Sequence, residues 1–390
     1  MTIALMHSNP VRMQDGLLKV DRKFHIGMQS YVRGIPHPLT TVNPLLRDGQ
    51  TIMDAVDVPI SELAYSVVVV EVDKAQRVRP HEVPRVRDLM RRCRLVYGTG
   101  LSSSKIAHAL GIPYIPVLEY DLQTQITVAT SDVRSFARRV VRSARSLWNY
   151  ATEAISEMRA AHSVHCNGYP MYDTACRHNA NCLLYLDSRM SADMIISASE
   201  LGARLADRAA RPLRLLYSGR YERLKGADDA VRVAVECLRR GLDVEMHCYG
   251  QGSLRQKMED IARAAVRPDR IHIHGPVAYP ELVRISRTFD VFVCCHIQND
   301  PSCTYLESLG AGLTIVGYAN RMWRRLSEES GAGLVSAMGR PEKVADDVAR
   351  LSDSAGNLPA LSERAVAFAR LHCFEREFQK RVDAINAATT

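Results

Sequence analysis

Residues 290–318 read DVFVCCHIQNDPSCTYLESLGAGLTIVGY. DVFVCCH at 290–296 and LTIVGY at 313–318 are short, apolar and rich in β-branched residues, as buried strands are. A helix-like stretch that soon meets glycines lies between them. Strand, helix, strand is the unit of a parallel sheet. The connection is more crowded than a turn and a cap require: Asp300, Pro301, Ser302, Cys303 and Thr304 come in succession. In open α/β sheets, ligands bind at such strand ends. The N–H groups at the following helix start, with the helix dipole, favour an anion near Ser302, Cys303 and Thr304. Pro301 fits a first turn, where its missing N–H costs little. Glu307, one or two turns inside, is placed to accept two vicinal hydroxyls, as of a ribose.

The same alternation extends in both directions. IALMHS, SVVVVEV, RLVYGTG, YIPVLEY, SVHCNG and CLLYLDS form one strand series. RLLYSGR, VEMHCYG, IHIHGPV, DVFVCCH and LTIVGY form a second. Helical periodicity separates them, as in DDAVRVAVECLRRG and GSLRQKMEDIARAA. The stretch SELGARLADRAARPLR between the series is polar and reads as strand-free. The expectation is an α/β protein with a first domain over 1–200, a second over 201–372, and a C-terminal helix over 373–390 that packs back on the first.

Other strand ends of the second series also carry chemistry. In YSGRYERLKG, Gly219 ends a strand, and Arg220 and Lys225 follow five apart. A forked guanidinium and a point-charge ammonium suit a diphosphate, although the loop alone also reads as a solvated basic turn. Gly250 and Gly252 after the next strand allow close backbone approach, or simply a tight turn. His272 and His274 alternate with isoleucines and share a face, which suggests a core or supporting role before metal ligation. Cations, glycines, an anion cradle and a hydroxyl acceptor together describe a nucleotide diphosphate.

The totals bound the alternatives. The chain has 390 residues, 46% hydrophobic and 24% charged, enough for two or three domains with real cores. No apolar run approaches the ~18 residues of a membrane span, and the first ten residues lack the features of a signal peptide. Ten cysteines without a regular framework read as free thiols in a reducing cytoplasm. His162, His165, Cys166, Cys176, His178 and Cys182 fit no common zinc spacing. The net charge of +8 suggests an anionic partner or plain solubility. No nucleic-acid-binding signature accompanies it, and no nucleic acid is expected.

At this point the second half resembles the C-terminal domain of retaining GT-B glycosyltransferases, family 4. The resemblance rests on Gly219–Arg220 with Lys225–Gly226, on Gly250-x-Gly252, on Gly275 to Val277, and on Glu307 heading ESLGAGLTIVG. It covers residues 214 to 340 well and the first domain only by general layout. It implies two Rossmann-like parallel-sheet domains facing across a cleft, and a hexosyltransferase acting in polysaccharide or lipid-linked glycan assembly. The partners implied are a nucleotide diphosphate-sugar donor and a glycan or lipid-linked acceptor, with no cofactor and no metal. Arg220 and Lys225 would hold the diphosphate, Glu307 the ribose, and the backbone around Pro276 and Val277 the base. The family's first Glu falls on Asn299, with Asp300 adjacent, so either is a candidate for the sugar contact. On the first domain, Gly16 of the Asp15–Gly16 loop and Glu119 at a strand end are the expected donor-facing residues.

SDVRSFARRVVRSARSLWNY at 131–150 sets Arg134, Arg138, Arg139, Arg142 and Arg145 against Phe136, Val140, Leu147 and Trp148. It reads either as a helix on an anionic membrane or as a solvated face packed on the sheet. The expected location is cytoplasmic, peripheral on the inner membrane face. The alternatives to transfer are a same-fold epimerase or phosphorylase, or a non-catalytic nucleotide-binding scaffold.

Overall fold

The computed structural model describes residues 1–389 apart from 53, 75, 101, 134 and 354–356. The chain divides into two compact units. The first comprises residues 1–119, 148–185 and 377–390, and the second comprises 120–147 and 186–376. The sequence boundary expected near 200 thus lies at 185/186. The chain also lends 120–147 to the second unit and returns to the first at its C-terminus.

The first unit holds a seven-stranded sheet in the order Cys182–Tyr185, Val164–Asn167, Tyr114–Leu118, Cys93–Gly98, Thr2–Met6, Leu39–Pro44, Ser66–Val70. Every pairing in it is parallel. Leu39–Pro44 is buried at each position, yet Thr and Asn mask it in the sequence. The Thr41 hydroxyl is satisfied inside the core by donating to Asn43 Oδ1 at 2.7 Å. A separate antiparallel sheet joins Arg12–Gln14, Leu17–Asp21 and Ala55–Pro59.

The C-terminal helix Phe374–Ala387 packs its later part on the first unit. Phe378 lies 4.6 Å from the Tyr31 ring, and Asn386 Nδ2 donates to Gly34 O at 2.9 Å. Gly27 and Gly34 make room for it: a Cβ on Gly34 would sit 2.6 Å from Val382.

The second unit is built on six parallel strands in the order Ile271–Ile273, Val244–Tyr249, Leu213–Ser218, Val291–Cys294, Thr314–Tyr318, Gly333–Ser336. The helix Ala227–Arg239 buries Ala230, Val231, Val233, Ala234, Cys237 and Leu238 in one apolar cluster with Leu215, Met246 and Val293. At ~25 cal/mol per Å² such burial is the main stabilising contribution. That packing fixes the strands, so their carboxyl ends are held still.

Candidate functional site

Three strand ends of the second unit converge. After Leu213–Ser218 the chain turns through Gly219 and Arg220 into a short 3-10 turn, Arg223–Lys225. Gly226 then opens the helix Ala227–Arg239 at φ +58. A Cβ there would lie 1.9 Å from Cys295 O, so only glycine lets this loop seat against the neighbouring strand. Tyr217 and Tyr221 hold the loop from beneath. Tyr217 donates its hydroxyl to Arg220 O at 2.8 Å, and Tyr221 donates to Cys248 O at 2.7 Å and His274 O at 2.8 Å.

This scaffold buries Lys225, only 7% exposed, and leaves Arg220 exposed with Glu222 at 3.3 Å. Lys225 Nζ donates to Asp300 Oδ2 at 2.5 Å. Asp300 is itself buried, and its Oδ1 has no hydrogen-bond partner among the described residues. Burial alone would raise the Asp300 pKa, but the Lys225 ammonium more than offsets it and holds the carboxyl below its usual value. His296, fully buried beside them, is pushed down to about 3, first by burial and then by Lys225. It is a neutral imidazole at any ordinary pH.

The loop 295–303 places a run of polar side chains in the interior: His296, Gln298, Asn299 and Asp300. Buried polar groups are the informative exception in a folded chain. Asn299 is committed at both ends. Its Nδ2 donates to Gln123 Oε1 at 3.1 Å and its Oδ1 accepts from Arg321 N at 2.9 Å. Asn320 caps the next helix by accepting from Trp323 N at 2.8 Å, and it donates to His296 O at 3.1 Å. Arg321 also reaches buried Asp121 at 2.6 Å. The loop is therefore braced on both sides.

Ser302, Cys303 and Thr304 open the helix Thr304–Gly310. The Ser302 N–H is already used by Asp300 O at 2.9 Å, and its hydroxyl lies 2.9 Å from that of Thr304. Glu307, buried one turn in, accepts from Arg189 Nε at 2.8 Å. The Arg189 guanidinium lies 4.1 Å over the Tyr279 ring. Burial lowers the Arg189 pKa, but Glu307 outweighs it and the net shift is upward. Nothing in the sequence singled out Arg189, His296, Asp121 or Arg321. Arg189 and Glu307 are 118 residues apart, and such a pairing leaves no local pattern.

The remaining candidates have plain placements. A Cβ on Gly250 would meet Gly219 O at 1.9 Å, and one on Gly252 would meet Tyr221 O at 2.5 Å. Close approach of backbone is indeed the reason for Gly250, and the neighbour there is the protein's own chain. Pro276 and Val277 are exposed in the loop before the helix Tyr279–Ser286. On the first unit, Asp15 (φ 51) and Gly16 (φ 74) form the two-residue turn between antiparallel strands, as Asp-Gly prefers. Glu119 stands exposed just past the strand Tyr114–Leu118 and accepts from Asn167 Nδ2 at 3.2 Å. Arg138, Arg139, Arg142 and Arg145 lie exposed along the helix Phe136–Asn149, which buries no residue. Arg134 lies outside the described residues.

Comparison with known proteins bears on the fold and on the second unit's family likeness. Residues 212–354 match the model of the family glycosyl transferases group 1. Alpha-D-kanosaminyltransferase of Streptomyces kanamyceticus is 27% identical over 154 residues, which are 40% of this chain and 39% of that protein. The match thus spans about two fifths of the curated relative's length. Among solved structures, Anabaena HepE in complex with UDP superposes with a TM-score of 0.67 over 100% of both chains at 12% identity. Sucrose-phosphate synthase of Thermosynechococcus elongatus gives 0.66 at 12% identity over 99% of both. WaaG, a glycosyltransferase involved in lipopolysaccharide biosynthesis, gives 0.61 at 13% over 98% of this chain and 99% of that one. These likenesses show the fold: two α/β units of the GT-B type. The chain carries a glycosyl transferases group 1 domain at 212–354.

Proposed function

With that domain as premise, we propose that the protein is a retaining glycosyltransferase that moves a hexosyl group from a nucleotide diphosphate sugar to a glycan or lipid-linked acceptor. The observation that carries the reading is the buried Lys225–Asp300 pair, 2.5 Å apart at the carboxyl ends of the sheet, with one Asp300 oxygen that has no hydrogen bond among the described residues. A desolvated ammonium is a strong partner for the charge that grows on a departing diphosphate. Binding trades its carboxylate for phosphate oxygens, and Arg220 closes from the solvent side. These two cations neutralise the leaving group, so the diphosphate requires no divalent ion or other cofactor.

In the transfer step the bond from the anomeric carbon to the diphosphate oxygen breaks. The acceptor oxygen bonds the same carbon on the same face, and its proton passes to the departing phosphate oxygen. No protein base is needed. Asp300, released from Lys225, accepts a sugar hydroxyl. Asn299 is held by Gln123 and Arg321 and keeps the loop in place. Glu307 takes the ribose hydroxyls in exchange for Arg189. The backbone of Gly219, Gly250 and Gly252 shapes the floor, the N–H groups of Cys303 and Thr304 serve the phosphates beside Ser302, whose own N–H is held by Asp300 O, and Pro276 and Val277 edge the base. Gly16 and Glu119 are the donor-facing residues of the first unit. Anabaena HepE has been solved with UDP-glucose, so uridine diphosphate sugars are the first donors to assay.

Transfer or donor hydrolysis tests the reading. Lys225→Ala is expected to lower turnover by roughly 10²–10³, as for loss of one preorganised charge donor. Wild-type turnover in the folded variant would reject it. Donor alone returned as an isomerised sugar would favour an epimerase, and nucleotide binding without turnover a scaffold.

The location proposed is the surface of an anionic membrane, through the helix Phe136–Asn149. Among the described residues no helix is long and apolar enough to cross a membrane. This helix leaves Phe136 80% and Trp148 70% exposed, with Val140, Val141 and Leu147 also exposed. On a helical wheel those residues fill one side and Arg138, Arg139, Arg142 and Arg145 the other. That is the pattern of a helix lying in the headgroup region. Flotation with vesicles of anionic lipid should retain the protein, and vesicles of zwitterionic lipid should not. Phe136→Ala with Trp148→Ala should release it, and unchanged flotation would remove the proposal.

A further inference from the structure

The second unit carries another cluster, on the exposed edge of its sheet. Glu245, His247 and Tyr249 alternate along Val244–Tyr249 and are half-buried, while Val244, Met246 and Cys248 between them enter the core. The edge strand Ile271–Ile273 pairs with it in parallel, His272 opposite His247. Period-two alternation therefore brings Glu245, His247 and His272 onto one face. His247 Nε2 lies 3.3 Å and His272 Nε2 3.2 Å from the same oxygen, Glu245 Oε1. One ligand atom from each of the three can be chosen within 4.8 Å of the other two. Among the described residues this is the one such group, and the His162–Cys182 stretch of the sequence forms none.

The spacing suits an ion. A tetrahedral ion with ligands at about 2.0–2.2 Å has ligand–ligand edges of about 3.3–3.6 Å. The two edges to Glu245 Oε1, 3.3 and 3.2 Å, fall at or just below that value. Glu245 has no Arg or Lys partner among the described residues, although Arg214 is its register neighbour. Its carboxylate turns instead to the two imidazoles. His274 Nε2 lies 3.0 Å from His247 Nδ1, where it can accept the Nδ1 proton and leave the Nε2 lone pair free for an ion. Such orienting partners accompany metal-bound histidines. The ligand side chains are 21–35% exposed, so an ion can enter and a water can complete the fourth position.

We propose that Glu245, His247 and His272 form a binding site for a late d-block divalent cation, Zn²⁺ by preference, which fastens the three-residue edge strand to its neighbour. Two imidazoles and one carboxylate select Zn²⁺, Co²⁺ or Ni²⁺ over the oxygen-seeking Mg²⁺ and Ca²⁺. Phe289, just before the strand Val291–Cys294, packs 5.2 Å from His247. The cluster lies on the two outer strands of the sheet, whereas Lys225 and Asp300 follow the next two strands, and it shares no residue with them, so it stands independently of the transfer reading. Without an ion, the same atoms form a network in which both imidazoles donate Nε2–H to Glu245, and an ion would move those protons to Nδ1.

The test is titration of the metal-stripped full chain with Zn²⁺ against a chromogenic chelator, and with Co²⁺ followed by its visible spectrum. One equivalent should bind, with tetrahedral cobalt bands, and the melting temperature should rise with Zn²⁺ but not with Mg²⁺. His247→Ala and His272→Ala should each weaken Zn²⁺ at least 100-fold, and His274→Ala by 10–100-fold. Glu245→Gln keeps the shape and guards against a variant that simply fails to fold; it too should weaken Zn²⁺ at least 10-fold. Zn²⁺ affinity unchanged in folded Glu245→Gln, or a thiolate charge-transfer band from cobalt, would overturn the assignment.

Discussion

Two buried ion pairs stand at opposite ends of the same six-stranded sheet, and they are built differently. At the amino ends, Asp290 takes Arg211 through both oxygens, at 2.6 and 3.0 Å, and also accepts from Arg214 N at 3.0 Å. Arg211 spends its remaining donors on Asp207 and on the carbonyls of Pro212 and Arg204. Every polar atom of that pair is used. At the carboxyl ends, Lys225 gives Asp300 a single 2.5 Å bond, and Asp300 Oδ1 has no hydrogen bond among the described residues. A saturated pair is a staple. An unsaturated one retains the capacity to bind something else, at a cost in stability.

The comparison can be broken by substitution. Asp290→Ala strips the staple and leaves a buried guanidinium, and should cost ~3–5 kcal/mol in chemical denaturation. Asp300→Ala likewise leaves the buried Lys225 ammonium without its carboxylate, but it also removes an oxygen that was buried without a partner, so its loss should be the smaller. Equal losses would erase the distinction. Glu307→Gln comes next: nucleotide diphosphate affinity should fall by ~1–3 kcal/mol, the cost of a charged hydrogen bond made imperfect. Unchanged affinity by calorimetry would leave Glu307 as a partner of Arg189 only.

The carboxyl-end cluster also has a pH signature. Unfolded, His296 takes a proton near pH 6.5; folded, it resists until about 3. Stability should therefore fall as pH drops through that window, by ~1.4 kcal/mol per unit from this residue. Asp300, held below its usual value, adds a further loss only below that usual carboxylate range. His7 and His165, held down to about 4 and about 3 by burial, slope the same way. Denaturation midpoints from pH 7 to 5 should flatten in His296→Asn by its share alone, and an unchanged slope would mean that His296 titrates normally. The smallest effect is expected at Ser302→Ala, within ~0.5 kcal/mol, because its backbone and not its hydroxyl serves the loop.

The strands that the sequence made legible are those rich in Val, Ile and Leu, and both parallel sheets follow from them. Leu39–Pro44 escaped because its polar side chains satisfy each other inside the core. Gly333–Ser336 escaped because it is short and only partly buried. At the site, Lys225 and Asp300 were separately visible as residues on loops, but their contact was not, because 75 positions separate them. Asn299 looked like a weakened sugar contact. In the fold it caps Arg321 N and meets Gln123, partners that no local pattern announces. The arginine-rich helix was equally compatible with packing on the sheet until its exposure was known.

The central claim is that buried Lys225 is reserved for a diphosphate. Calorimetric titration of nucleoside diphosphates and their parent nucleosides onto wild type and Lys225→Ala tests it directly. In the wild type the tightest diphosphate should bind far better than its nucleoside, and Lys225→Ala should narrow that gap by roughly 10–150-fold, the worth of a hydrogen bond to a charged group. A gap of the same size in both proteins, with the variant folded, would contradict the account.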